Sequence, residues 1–207
     1  MTAADALIVV DVQNDFCPGG RLPVPLGDEV VAPVNQLIAR FDHVILTQDW
    51  HPPSHSSFAS AHPGTRPYDI FEAAYGPQTL WPDHCVQGSP GAEFHPALVA
   101  TKAELVVRKG YHREIDSYSA FFENDRMTPT GLGGYLRERG FRRLYLAGLA
   151  LDYCVAWSAE DARRLGFEVV VVEDACRALD VAGSKAEALA RLDRAGVGRV
   201  AAAALGG

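Results

Sequence analysis

Cys154 follows the apolar run Leu144-Tyr145-Leu146-Ala147-Gly148 and stands at the front of a helix expected over Asp152–Leu165. A strand, a tight turn and a helix N-terminus bring backbone N–H groups and the positive helix end toward the thiol. Both favour thiolate, so a nucleophile is expected there. Asp11 ends a second apolar run, Ala6-Leu7-Ile8-Val9-Val10, and Lys109 ends a third, Leu105-Val106-Val107-Arg108. Charged groups at the ends of apolar strands mark the crevice of an open α/β sheet. The three residues can divide one job. Cys154 attacks a carbonyl carbon, Asp11 takes the thiol proton and returns it to a leaving amine, and Lys109 holds the carboxylate. Burial should raise the Asp11 pKa and Lys109 should lower it again. Each residue also has a plainer reading. A free cysteine is often a small buried hydrophobe, Asp11 could cap the turn Asp11–Asp15, and Lys109-Gly110 could be an ordinary strand end.

A second constellation lies further along. Asp49 and His51 are one residue apart, and in an extended segment such positions face the same side. His84 can arrive from a distant part of the same stretch. Two imidazoles and one carboxylate suit one divalent ion, Zn²⁺ first, with Fe²⁺ or Mn²⁺ as alternatives. The competing reading is a polar loop with ordinary histidine hydrogen bonds, and His55 is the rival ligand.

Positioning these groups requires strands, which are expected at Ala6–Val10, Val44–Thr47, Leu105–Val107, Arg143–Ala147, Glu168–Val172 and, weakly, Gly198–Ala202. Several are apolar throughout rather than alternating, the pattern of a parallel sheet covered on both faces. Helices fit between them at Glu29–Ala39, Gly131–Arg139, Asp152–Leu165 and Gly183–Ala195. The fold class is therefore α/β: a doubly wound, mostly parallel sheet with helices on both faces. Residues 1–207 read as one domain. The Pro- and His-rich stretch Asp49–Pro96 is an insert expected to fold over the carboxyl ends of the strands, since long structureless loops are usually functional.

Composition narrows the partners. The net charge is -7, and no run of Lys and Arg alternates with aromatics, so nucleic acid and anionic membrane are not expected. Cys17, Cys85, Cys154 and Cys176 show no CxxC pair, which argues against a disulfide framework. The N-terminal residues lack a basic region and no apolar stretch reaches a membrane span; the cytoplasm is the expected compartment. No GxGxxG follows the first strand, so no organic cofactor is expected. A homodimer is the expected assembly.

Five motifs carry a resemblance over nearly the whole chain: Asp11-Val12-Gln13-Asn14-Asp15-Phe16-Cys17, Thr47-Gln48-Asp49-Trp50-His51-Pro52, Trp81-Pro82-Asp83-His84-Cys85-Val86, Val107-Arg108-Lys109-Gly110 and Gly148-Leu149-Ala150-Leu151-Asp152-Tyr153-Cys154-Val155. The sequence resembles the nicotinamidase/pyrazinamidase branch of the isochorismatase-like cysteine hydrolases. The resemblance implies a triad of Asp11, Lys109 and Cys154. It implies a cis peptide before Ala150, with the Ala150 and Cys154 N–H groups forming an oxyanion hole. It selects Asp49, His51 and His84 as metal ligands, leaving out His55, His62 and His95. Phe16 and Trp81 would sandwich a planar ring, with Tyr118 at the pocket mouth. The implied substrate is a small aromatic carboxamide, nicotinamide or pyrazinamide, whose ring nitrogen the metal would hold directly or through water; the acid product would feed NAD salvage. Leu149 and Leu151 depart from the residues common in that branch, which bears on pocket shape. Rival readings are a hydrolase of N-carbamoyl, ureido or isochorismate substrates, and a non-enzymatic binding protein on the same fold.

Overall fold

The six expected strands form a single sheet in the computed structural model, which describes residues 2–205. They are β1 (Asp5–Val10), β2 (Val44–Asp49), β5 (Leu105–Lys109), β6 (Arg143–Gly148), β7 (Glu168–Cys176) and β8 (Gly198–Val200), in spatial order β5-β2-β1-β6-β7-β8. Every neighbouring pair is parallel. The helices are α1 (Val31–Arg40), α2 (Leu132–Glu138), α3 (Ala156–Arg164) and α4 (Ser184–Arg194). This is the doubly wound α/β architecture expected from the apolar runs.

The period of the strand decides which side each residue serves. Ala6, Ile8 and Val10 of β1 pack into one core with residues of α2, α3 and α4. Leu7 and Val9 point the other way, into a second core with Val31, Val34, Leu37 and Ile38 of α1. All six residues of β1 are buried, which is why its sequence shows no polar alternation.

Register sets the site. Val10 pairs with Gly148, and Asp49 pairs with Lys109. The carboxyl ends of β1, β2, β5 and β6 therefore finish near one another, at the point where the connections leaving β1 and β6 run to opposite edges of the sheet. Gly148 has φ 121°, a region that disfavours side chains, and a Cβ there would collide with the Val10 carbonyl oxygen. The two central strands can close together at this level because residue 148 has no side chain.

Two local expectations are corrected. The stretch 49–96 is not structureless: it holds the antiparallel hairpin β3 (Ile70–Ala73) and β4 (Gly76–Thr79) with short helical turns. The hairpin strands carry Pro77 and Gly76, which hid them from a propensity reading. Its ends are tied down by bridges His51–Val86 and Phe58–Trp81. The helix expected from Asp152 instead opens with a wide π-type turn, Leu151–Val155, before α3 begins. Among the described residues no helix is long and apolar enough to cross a membrane.

Gly148→Val should lose about 3 kcal/mol or more of stability through this close approach, or fail to give soluble protein. Urea unfolding followed by circular dichroism measures it; wild-type stability would show that the β1–β6 approach is slack.

Candidate active site

Four strand ends and one turn deliver the reactive groups. Asp11 follows β1 directly, with φ 47°, in the left-handed region that a non-glycine residue occupies only when held there. It is held by Thr47 of β2. The Asp11 N–H donates to Thr47 Oγ1 at 3.1 Å, and the Thr47 hydroxyl donates to Asp11 Oδ1 at 2.6 Å. Lys109 ends β5 and is fully buried. Its Nζ lies 2.8 Å from Asp11 Oδ2 and 2.9 Å from Asp49 Oδ1. It also donates to the Ser117 carbonyl at 2.9 Å and approaches Cys154 Sγ at 3.5 Å. The Ser158 hydroxyl fixes the Cys154 turn by donating to the Cys154 carbonyl at 2.6 Å, while it accepts from the Ala120 N–H at 2.8 Å. Asp11, Lys109 and Cys154 thus stand together.

Burial raises Asp11 above the ordinary carboxylate range, and Lys109 offsets only part of this. That agrees with the sequence expectation. Burial penalises the Lys109 ammonium, but Asp11 and Asp49 overcome it and hold Lys109 well above its usual range. The lowering expected from the helix end does not prevail at Cys154. Burial pushes its thiol well above the ordinary value; Lys109 pulls it down, Asp11 raises it further, and the net is a protonated thiol. The sequence argument weighed the helix end and missed the loss of water. A neutral thiol beside a basic, buried carboxylate suits proton transfer concerted with attack.

Asp49 joins the triad to the second constellation. Its Oδ2 lies 3.0 Å from His51 Nε2 and 3.3 Å from His84 Nε2. His51 Nδ1 donates to the Gly110 carbonyl at 2.8 Å, and His84 Nδ1 donates to the Pro82 carbonyl at 2.8 Å. Both partners can only accept, so each ring turns Nε2 toward Asp49 as the available ligand atom. Gly110, at φ 65°, lies where a Cβ would strike the His51 ring. The donor atoms of Asp49, His51 and His84 lie within 4.8 Å of one another and all three residues are buried. This set fits a divalent ion. Burial penalises the His51 cation, yet Asp49 outweighs it and raises His51; burial pushes the Asp49 carboxyl upward, but His51 and Lys109 hold it well below its usual range. His55, the rival ligand, has both ring nitrogens occupied: Nδ1 faces the Ser57 hydroxyl at 2.7 Å and Nε2 faces the His112 carbonyl at 2.8 Å. Burial, reinforced by His51, lowers it to about 4.

A small cavity opens over Cys154, lined by Phe16, Trp81, Tyr118, Tyr153, Ala150, Asp49 and His84, with Leu22, Asp116 and Leu179. Every expected substrate residue meets there. Phe16 and Trp81 are 4% and 3% exposed, so their faces serve the cavity and not the surface. Tyr153, packed edge-on against Trp81 at 4.9 Å, was not singled out from the sequence. The peptide bond between Leu149 and Ala150 is cis, as the motif implied. Leu149 and Leu151 turn into the two cores and do not line the cavity. The sequence also gave no weight to Gln13, whose amide donates to the Asp49 and Ala92 carbonyls at 2.9 Å each and accepts from the Asp49 N–H at 2.8 Å. Nor did it single out Asp15, which accepts from the Cys85 N–H at 2.7 Å. Their closeness to Asp11 in one polar run was the available signal.

The isochorismatase domain model matches residues 5–204. The chain belongs to the isochorismatase family. Within that family, a nicotinamidase from Acinetobacter baylyi is 54% identical over 195 residues, covering 94% of this chain and 91% of the relative. The solved nicotinamidase/pyrazinamidase of Acinetobacter baumannii is 50% identical, with a TM-score of 0.98 and 99% of each chain covered. The pyrazinamidase of Pyrococcus horikoshii, solved in complex with zinc, is 36% identical with a TM-score of 0.78, covering 96% of this chain and 99% of that one. These place the chain in the nicotinamidase/pyrazinamidase branch of the isochorismatase family.

Asp11→Asn should separate thiol acidity from turnover. Removing the carboxylate charge lowers the Cys154 pKa, so the alkylation-rate profile with iodoacetamide should move to lower pH and the neutral-pH rate should rise several-fold. Amide turnover should fall at least about a thousandfold. An unchanged alkylation profile would remove Asp11 from control of the thiol.

Proposed function

We propose that the protein is a nicotinamidase, a metal-containing cysteine amidohydrolase that converts nicotinamide to nicotinate and ammonia and also accepts pyrazinamide. The observation that carries this reading is the convergence of Cys154, Lys109 and Asp11 at one wall of a cavity whose other walls are Phe16 and Trp81 and the Asp49/His84 donors. A flat aromatic ring fits between apolar side chains, and its carboxamide can then face the thiol. The names of the relatives support the same substrate class. We read residues 1–207 as one hydrolase domain, with the 49–96 insert as its substrate-covering and metal-holding part. Four buried, unpaired cysteines support a reducing compartment, the cytoplasm.

The reaction proceeds in two halves. Asp11 takes the Cys154 proton as sulfur attacks the amide carbon. The ammonium of Lys109 stabilises the sulfur while it carries charge, and it keeps Asp11 aimed. The Ala150 and Cys154 N–H groups receive the developing oxyanion. Collapse breaks the C–N bond, Asp11 returns its proton to nitrogen, and ammonia leaves a thioester on Cys154. Asp11 then removes a proton from water, which adds to the thioester carbon; cleavage of the C–S bond gives nicotinate and restores the thiol. Asp49, His51 and His84 would hold the divalent ion, zinc first, which when bound supplies a Lewis-acid anchor for a ring nitrogen. Phe16 and Trp81 fix the ring plane, so that the carbonyl carbon meets sulfur at a near-attack distance.

Ammonia release from nicotinamide should be robust for wild-type protein and at least about a thousandfold lower for Cys154→Ala. Normal turnover by that variant would sink the mechanism. Purified wild-type protein should carry one equivalent of divalent metal by elemental analysis. His84→Ala and Asp49→Ala should lose most of it, and a metal content equal to wild type would reject the ligand set.

A further inference from the structure

Gln78, on β4 of the hairpin, is 1% exposed and bonds Asp116 and Tyr118, both of which line the cavity. Its amide is oriented by neighbours that leave no choice. Nε2 lies 2.7 Å from the Thr79 carbonyl and 2.8 Å from Asp116 Oδ2, both acceptors. Oε1 accepts from the Tyr75 hydroxyl at 3.0 Å and from Asn124 Nδ2 at 3.1 Å. The Asn124 amide is itself oriented, because its Oδ1 accepts the Tyr118 N–H at 3.0 Å. The two Nε2 hydrogens are thus shared among three acceptors, the third being the Tyr118 hydroxyl oxygen at 3.0 Å, and the amide nitrogen cannot accept the phenol proton. The other close partner of that oxygen is Trp81 Nε1, at 3.2 Å, an indole nitrogen that can only donate. Two donors thus face one phenol oxygen. Its own proton has no acceptor among the described residues, and Tyr118 lines the cavity.

We infer that Gln78 is a positioning residue: with Trp81 it fixes the Tyr118 oxygen as an acceptor, so that the Tyr118 proton is kept for a lone pair on the bound carboxamide substrate. This rests on the amidase reading. It assigns the hairpin a task in recognition, since a residue on β4 sets the polarity of a tyrosine more than thirty positions away in sequence. It also sets the aromatic clamp. The Tyr118 oxygen pins the Trp81 indole by its N–H, so tilting the phenol tilts the ring against which substrate lies. A substrate without a lone pair at this place leaves a buried hydroxyl unpaired, which disfavours it.

Steady-state kinetics on nicotinamide, with metal content measured beside them, test the assignment in wild type, Gln78→Leu, Gln78→Glu, Tyr118→Phe and the Gln78→Leu/Tyr118→Phe pair. Gln78→Glu is nearly isosteric and presents an acceptor to the phenol, which draws its proton away from the cavity. Each single variant should raise KM roughly five- to tenfold with a smaller change in kcat and unchanged metal content. The pair should be no worse than Tyr118→Phe alone, because the residues act through one proton. Additive losses, an unchanged KM in Tyr118→Phe, or a lowered melting temperature with wild-type KM in Gln78→Glu would overturn the assignment and leave Gln78 a structural tie. Wild-type protein that neither hydrolyses nicotinamide nor binds nicotinate would overturn the amidase reading itself, and this inference with it.

Discussion

The ammonium of Lys109 is the constraint around which the molecule is arranged. An ammonium out of water is stable only with close, well-aligned partners, and Lys109 has Asp11 at 2.8 Å, Asp49 at 2.9 Å and the Ser117 carbonyl at 2.9 Å. Those partners come from β1, β2 and the segment after β5, so the ends of three strands must meet at one level. The parallel register does this, with Asp49 opposite Lys109. Removing either carboxylate takes from Lys109 one of its two counter-charges in a dry place, so the site is also a stability element. Its energetic role and its chemical role cannot be tuned separately.

Asp49 belongs to both halves of the site. One oxygen faces Lys109 and the other faces His51 and His84. Lys109, which touches the Cys154 sulfur, and the metal-binding donors therefore share one carboxylate, which spaces them. This fixes the distance between the sulfur and the place where a ring nitrogen would be held. A planar carboxamide has a fixed separation of the same two points, which makes the shared carboxylate a ruler for the substrate. Around it, Gln13 bonds the Asp49 backbone on both sides, so the ruler is anchored by main chain as well as by charge.

The sheet was readable because burial on both faces leaves fully apolar strands, as in β1. Asp11, Lys109 and Cys154 were readable because polar groups interrupt such strands only at their ends. The hairpin was not, because Gly76, Pro77 and Gln78 are poor strand formers; bridges such as Phe58–Trp81 hold it in place. His55 resembled His51 in sequence, and only the fold shows both of its nitrogens occupied. The direction of the Cys154 pKa shift was misjudged for a related reason. Local position speaks of the helix end, but the depth of burial, which dominates the thiol, is a property of the assembled chain. Gln78 and Tyr153 gave no signal because their partners are remote.

Strand order has a consequence for how the chain is made. β1 lies between β2 and β6, and β6 is separated from it by most of the polypeptide. A ribosome therefore releases β1, β2 and β5 as a half-sheet whose inner edge, an apolar strand with unpaired backbone groups, stays open until Arg143–Gly148 emerges. Such an edge invites pairing with other chains. The nucleophile follows immediately after β6, so sealing of that edge and arrival of Cys154 are a single event in synthesis. A partly made chain already holds Asp11, Asp49 and Lys109, but it lacks the Cys154 thiol and is at its most adhesive.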